Sequence, residues 1–241
     1  MRHVWVTGAG SGIGRAVAKR FVLAGDNVTL ADIDRESLSS LQAELKTEGF
    51  DTFVSVGDIT SETNIERMMS ESREVFGSVN VLANCAGIYP VVPFLDATRK
   101  DWDLIMGLNL YAVCNVSQVA ARDMISNRKG WIVNIASADG KSPANASCVY
   151  SASKAAVISL TRSMAADLAQ YGILVNGVAP GWVATPTVFK SDRWKSGVDA
   201  IPLKRLAKPE EIADSVYFLC SEQASYITGE ILNINGGVLM D

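Results

Sequence analysis

Apolar residues in this chain gather in short β-branched runs, separated by longer stretches in which they recur every three or four positions. The short runs predict strands over Val4–Thr7, Asn27–Ala31, Thr52–Val56, Val79–Ala83, Gly130–Ile135, Ile173–Ala179 and Ile231–Ile234. They are apolar on both faces, the pattern of a parallel sheet covered above and below. The helical periodicity predicts helices over Ile13–Ala24, Ser37–Glu48, Asn64–Phe76, Arg99–Asn127, Cys148–Tyr171 and Glu210–Leu219, with the turn at Ser61 and Pro209 as start signals. Such alternation implies right-handed crossovers and an α/β architecture: a doubly wound parallel sheet of about seven strands with helices on both faces. No low-complexity stretch breaks the pattern, so residues 1–241 are expected to form a single domain. The exception is Pro180–Ala207, with three prolines, two glycines and two tryptophans. A long segment after a strand's C-terminal end is expected to be a substrate loop or lid.

Composition narrows the chemistry. The chain has 241 residues, 48% hydrophobic and 20% charged, with 22 Lys and Arg against 26 Asp and Glu for a net charge of −4. An acidic balance gives no basic footprint for nucleic acid. One histidine, His3, excludes serine triads, histidine-bound zinc and histidine relays unless His3 itself is recruited. The four cysteines form no CxxC pair, so no metal site or disulfide framework is indicated. The uncharged runs Val75–Leu95, Leu104–Ala121 and Leu168–Phe189 are interrupted by proline, asparagine or glutamine, which argues against membrane spans. Together with an early glycine turn in place of a signal peptide, these features predict a cytoplasmic protein with no membrane or nucleic-acid partner.

Thr7-Gly8-Ala9-Gly10-Ser11-Gly12-Ile13-Gly14 joins the first strand to the first helix. Glycines there let the backbone approach a pyrophosphate, which the helix N-terminus then holds. Asp32 ends the second strand, 24 positions after Gly8, where a carboxylate binds ribose hydroxyls. It would repel the 2′-phosphate of NADP, and Ser11 is not the basic residue that would welcome it. NAD is therefore the expected cofactor, with Arg35 the only nearby cation. A mononucleotide P-loop is excluded because the chain has no Gly-Lys-Ser/Thr triplet.

Tyr150 and Lys154 lie four apart and share one helix face. A phenol titrates near about 10, and a neighbouring ammonium or a positive nicotinamide ring favours its phenolate. Ser137 ends a strand 13 residues earlier, placed to hold a substrate oxygen while hydride moves. Asp139, Asn145, Tyr89, Trp182 and Cys148 are candidate pocket residues. The first two suit extra hydroxyls, so the lean is toward a polyol, sugar or small cyclic alcohol. A hydrolytic site on Ser151-x-x-Lys154 lacks the accompanying motifs.

The ordered set Thr7–Gly14, Asn84-Cys85-Ala86-Gly87, Asn109, Ser137, Tyr150-x-x-x-Lys154, Pro180-Gly181, Gly229 and Asn235-Gly236-Gly237 resembles the short-chain dehydrogenase/reductase family over essentially the whole chain. The resemblance implies a Rossmann fold and an NAD-dependent enzyme acting on a secondary alcohol or ketone. It makes Tyr150 the general acid/base, Ser137 the residue that polarises the substrate oxygen, and Lys154 the group that lowers the Tyr150 pKa and binds the ribose. Asn109 would hold a water of the proton relay. The cofactor would meet Gly8, Ser11, Gly12, Ile13, Gly14, Asp32 and Ile33, then Asp58 and Ile59 at the adenine. Asn84, Ala86 and Gly87 would line the cleft, with Pro180, Gly181, Val183 and Thr185 at the nicotinamide. A homotetramer paired through Arg99–Asn127 and Cys148–Tyr171 is the family expectation. Cys85 replaces the more usual second Asn, and Asn235 stands where Asp is commoner. The alternative within the family is a 3-oxoacyl-carrier-protein reductase, normally NADPH-linked and docked to an acidic carrier. A non-catalytic NAD sensor is the rival from a different class.

Overall fold

The computed structural model describes residues 1–240. Its strands are β1 (His3–Thr7), β2 (Asn27–Asp32), β3 (Thr52–Val56), β4 (Val81–Asn84), β5 (Gly130–Ile135), β6 (Ile173–Pro180) and β7 (Ile231–Ile234). All pair in parallel, in the order β3-β2-β1-β4-β5-β6-β7. The helices are α1 (Gly12–Leu23), α2 (Arg35–Thr47), α3 (Glu62–Phe76), α4 (Arg99–Met106), α5 (Ala112–Asn127), α6 (Cys148–Leu168), α7 (Arg193–Ala200) and α8 (Pro209–Leu219). The expected doubly wound single sheet is therefore observed.

Strand alternation builds two cores. Val4 and Val6 of β1 face Val17 and Phe21 of α1, Leu38 and Leu41 of α2, and Ile212 and Val216 of α8. Trp5 faces the other way, with Leu82 and Ile132, toward Ile65 and Met68 of α3 and Val116 and Met124 of α5. Each such side chain contributes about 1.5–3 kcal/mol by leaving water, so both faces of the sheet are fastened independently. His3 is a buried strand residue. Its Nδ1 donates to the Gly77 carbonyl at 2.7 Å, which leaves Nε2 to accept from the Thr29 hydroxyl at 2.9 Å.

Two expectations are corrected. Arg99–Asn127 is not one regular helix, because Gly107–Tyr111 forms a π turn between α4 and α5. Hydrophobic spacing does not register one extra residue in a turn, and that extra residue aims Asn109 into the protein. Of the described helical stretches, Arg99–Asn127 is the one long and apolar enough to cross a bilayer, and half of that window is buried inside the molecule. The Pro180–Ala207 segment is not plain loop. It contains a 3₁₀ turn at Val188–Lys190 and helix α7, and its base is closed by the bridge between Val183 and Ala207.

The sheet order reverses at β1, which pairs with β2 on one side and β4 on the other. A crevice opens beyond the C-terminal strand ends at such a reversal.

Candidate active site

Thr7 fastens that crevice. Its Oγ1 accepts from the backbone N–H groups of Cys85 and Ala86, each at 3.0 Å, so the ends of β1 and β4 are tied. Gly8 then turns with φ 67°, and a Cβ there would stand 2.9 Å from the Ala86 backbone. Gly12 has φ 51°, with Thr185 Cγ2 3.2 Å from where its Cβ would be. Ser11 precedes α1 without capping it, and the first turn of α1 carries no acid. The first N–H groups of α1 are thus left for an anion. Ile13 packs at the edge of the core beside Gly14.

Asp32 closes the other side of the turn. Its Oδ2 accepts from Gly10 N at 2.9 Å and its Oδ1 from Asp34 N at 3.1 Å. Ile33 beside it is 68% exposed, an apolar surface at the cleft edge. A close backbone turn, an uncapped helix start, a fixed carboxylate and an apolar ledge fit a dinucleotide.

The reacting end lies under β5. Ser137 follows β5, and its Oγ accepts from Asp139 N at 3.1 Å, which directs its O–H outward to other acceptors. A 3₁₀ turn over Ala138–Gly140 presses against α6, where a Cβ on Gly140 would come within 2.7 Å of the Lys154 backbone. That approach brings Ser137 close enough to Tyr150 for its hydroxyl to act on the phenol. Burial holds the Tyr150 phenol well above its ordinary range; the Ser137 hydroxyl opposes this, while Asp139 and Tyr89 add to it. The Tyr89 ring lies 5.8 Å from the Tyr150 ring.

Lys154 is only 5% exposed. Its Nζ donates to the Ile135 carbonyl at 2.7 Å and lies 5.8 Å from the Tyr150 ring centre. Burial pulls the ammonium down to about 8, with Cys85 the charge neighbour that opposes the shift. Asn109, fully buried, accepts from Ile88 N, donates to Ile88 O and donates to Ser153 Oγ, while Gly87 sits beside it and Lys154.

Several residues expected at the cleft turn their side chains elsewhere. Asn84 turns into the sheet, donating to Ser117 Oγ at 2.9 Å and to Asn134 Oδ1 at 2.8 Å. Ile59 is buried in the α3 core, because Asp58 accepts from Thr60 N and Oγ1 in a tight turn that points Ile59 inward. The Val183 side chain is also core, and only its backbone faces outward from the bridge to Ala207. Ala86, Pro180 and Gly181 do stand at strand ends, with Asn235 packed on Gly181. Trp182 lies against Gly197 of α7, and Cys148 opens α6. Asn145 offers its backbone carbonyl to Arg193 at 3.2 Å.

Arg193 and Ser153 were not anticipated, and Thr7 was expected only as the start of the glycine turn. Arg193 lies inside the Pro180–Ala207 segment, which carries several cations and no local pattern that singles one out.

Comparison with known proteins gives a consistent picture. A family profile described as enoyl-(acyl carrier protein) reductase matches residues 8–239. The chain is 37% identical over 239 residues to a 3-oxoacyl-(acyl-carrier-protein) reductase of Thermotoga maritima, covering 98% of this chain and 96% of that protein. It is 37% identical over 236 residues to the enzyme of the same name from Aquifex aeolicus, covering 97% and 95%. Among solved structures, gox2181 superposes with a TM-score of 0.95 at 32% identity, covering 98% of this chain and 95% of the other. A putative gluconate dehydrogenase from Agrobacterium tumefaciens also superposes with a TM-score of 0.95, at 30% identity, covering 100% and 96%.

Proposed function

The chain belongs to the short-chain dehydrogenase/reductase family of nicotinamide-dependent oxidoreductases, and from that premise we propose that it reduces the ketone of a 3-oxoacyl thioester, using NADH. The observation that carries the chemistry is the meeting of Ser137, Tyr150 and Lys154 on one wall. The substrate class is supported by the two 3-oxoacyl reductases at 37% identity, which favour it over the polyol or sugar expected from Asp139 and Asn145.

A nicotinamide cofactor held by the Gly8–Gly14 turn and Asp32 would supply hydride for the ketone carbon. Ser137 donates its O–H to the ketone oxygen, holding the carbonyl in place. Tyr150 delivers a proton to that oxygen as the carbon–oxygen double bond becomes single, and the product is a secondary alcohol. Oxidation of an alcohol runs the same steps backward, with Tyr150 as base. Lys154, still largely cationic at neutral pH, stabilises the phenolate left behind. Asn109 holds the loop after β4 against this group. Asp32 supports NADH over NADPH, since its fixed carboxylate would repel a 2′-phosphate. A cytoplasmic homotetramer belongs with this reading.

A second reading, oxidation of a hydroxylated substrate with NAD, is favoured by Asp139. Among the described residues its half-buried carboxyl accepts no hydrogen bond, and burial raises it above the usual carboxylate range. The test is nicotinamide absorbance with acetoacetyl thioesters plus NADH or NADPH, against polyols and sugar acids plus NAD. Thioester reduction at least about tenfold more efficient than any polyol oxidation supports the proposal. The reverse ranking sinks it.

A further inference from the structure

Arg193 opens α7, within the Pro180–Ala207 segment. Trp182 against Gly197, and Phe189 edge-on to Trp194 at 5.6 Å, brace that helix with packed aromatic side chains. On the facing side, the loop bearing Asn145 is pinned by Val92, whose N–H donates to Ala146 O at 2.9 Å. Arg193 reaches across this gap to the Asn145 carbonyl at 3.2 Å. Among the described residues no carboxylate pairs with its guanidinium. A guanidinium has about five N–H donors, so most of them are left over at the opening of this gap. Its charge nevertheless bears on both Tyr89 and Asp139, two of the three groups that act on Tyr150. The opening thus holds one cation and one carboxylate, near each other but unpaired.

We propose that Arg193 is a specificity-determining residue that donates to the second carbonyl of a 1,3-dicarbonyl substrate while Tyr150 and Ser137 take the ketone oxygen. The proposal rests on the 3-oxoacyl reading above and names how that substrate is told from its analogues. A thioester is neutral and offers an acceptor oxygen, which suits a guanidinium with spare donors. A free 3-oxo acid brings a full negative charge to the same opening and meets Asp139. A monoketone has nothing for Arg193 to hold.

The experiment compares kcat/KM for acetoacetyl-N-acetylcysteamine, acetoacetate and a simple monoketone in the wild type, Arg193→Gln and Asp139→Asn. Losing a charge-assisted hydrogen bond to substrate is expected to lower kcat/KM for the thioester roughly 10- to 100-fold in R193Q, mostly through KM. The thioester-to-monoketone ratio should fall by about tenfold or more. D139N should raise activity on acetoacetate relative to the thioester. Equal losses on thioester and monoketone in R193Q would reduce Arg193 to a brace for α7 and overturn the proposal, as would an unaltered ratio in either variant. A wild type inert on the thioester but active on monoketones refutes the 3-oxoacyl reading itself and the proposal with it. A wild type active on the thioester with R193Q unimpaired refutes only the role of Arg193.

Discussion

Asn109 and Ile88 exchange two hydrogen bonds: Asn109 Oδ1 accepts from Ile88 N, and Asn109 Nδ2 donates to Ile88 O, each at 2.9 Å. The pair joins the π turn to the loop after β4, which carries Gly87 past Lys154. Replacing Asn109 with Leu leaves both Ile88 groups and Ser153 Oγ without this partner. An unpaired buried polar group costs about 1–3 kcal/mol, so N109L should lose several kcal/mol in denaturant unfolding. Asn109→Asp keeps one bond and should lie between. Unfolding curves that superpose on the wild type would show that the clamp contributes nothing.

Tyr150→Phe removes the proton donor and keeps the ring beside Tyr89. Turnover should fall by about 10²–10⁴-fold, the usual contribution of a positioned acid. Cofactor binding, read by protein fluorescence, should stay within a few-fold. Near-normal turnover would refute the assignment.

Lys154 gives the pH profile a sign. Its ammonium is pulled down to about 8 by burial, so the charge is present below that pH and lost above it. The kcat/KM for ketone reduction reports the free enzyme and should decline on an alkaline limb near pH 8. Lys154→Met should be slow at every pH and lack that limb. A limb that persists in K154M belongs to another group.

Much of this arrangement was legible in the chain. The strands were readable because their β-branched runs are apolar on both faces, and the glycine turn because it sits between a strand and a helix. The inward turn of the Asn84 side chain had its signal in the sequence. In β4 it is two positions from Leu82, so strand alternation puts both on the face toward α3 and α5. The π turn left no such trace, since one added residue in a mostly apolar helix barely disturbs its periodicity. Arg193 owes its position to tertiary packing of Trp182 on Gly197, which no local pattern encodes.

Asp32 holds Gly10 N and Asp34 N and is also the proposed ribose acceptor, so its replacement should have two effects. Asp32→Ser should weaken NADH by loosening the turn and by removing the ribose acceptor. NADPH loses the same anchoring but gains relief from charge repulsion. The NADH-to-NADPH ratio of kcat/KM should therefore narrow by about tenfold or more. Titration of both cofactors against D32S settles the matter, and an unchanged ratio would remove Asp32 from cofactor choice.

His3 makes stability depend on pH. Burial lowers its pKa below the ordinary 6.5, and the Gly77 bond opposes this only in part. The folded chain keeps His3 neutral at a pH where the unfolded chain protonates it, so the unfolded state binds more protons. Stability is then full above about pH 6.5 and is lost as pH falls from there toward the folded pKa, by at most about 1.4 kcal/mol per pH unit. Below the folded pKa the loss stops growing. His3→Gln keeps a donor and an acceptor in the strand but cannot titrate. Its unfolding free energy should be lower than wild type at pH 7.5, and it should fall less steeply between pH 6.5 and 5. Parallel slopes for the two proteins across that window would mean that another group sets the acid limit.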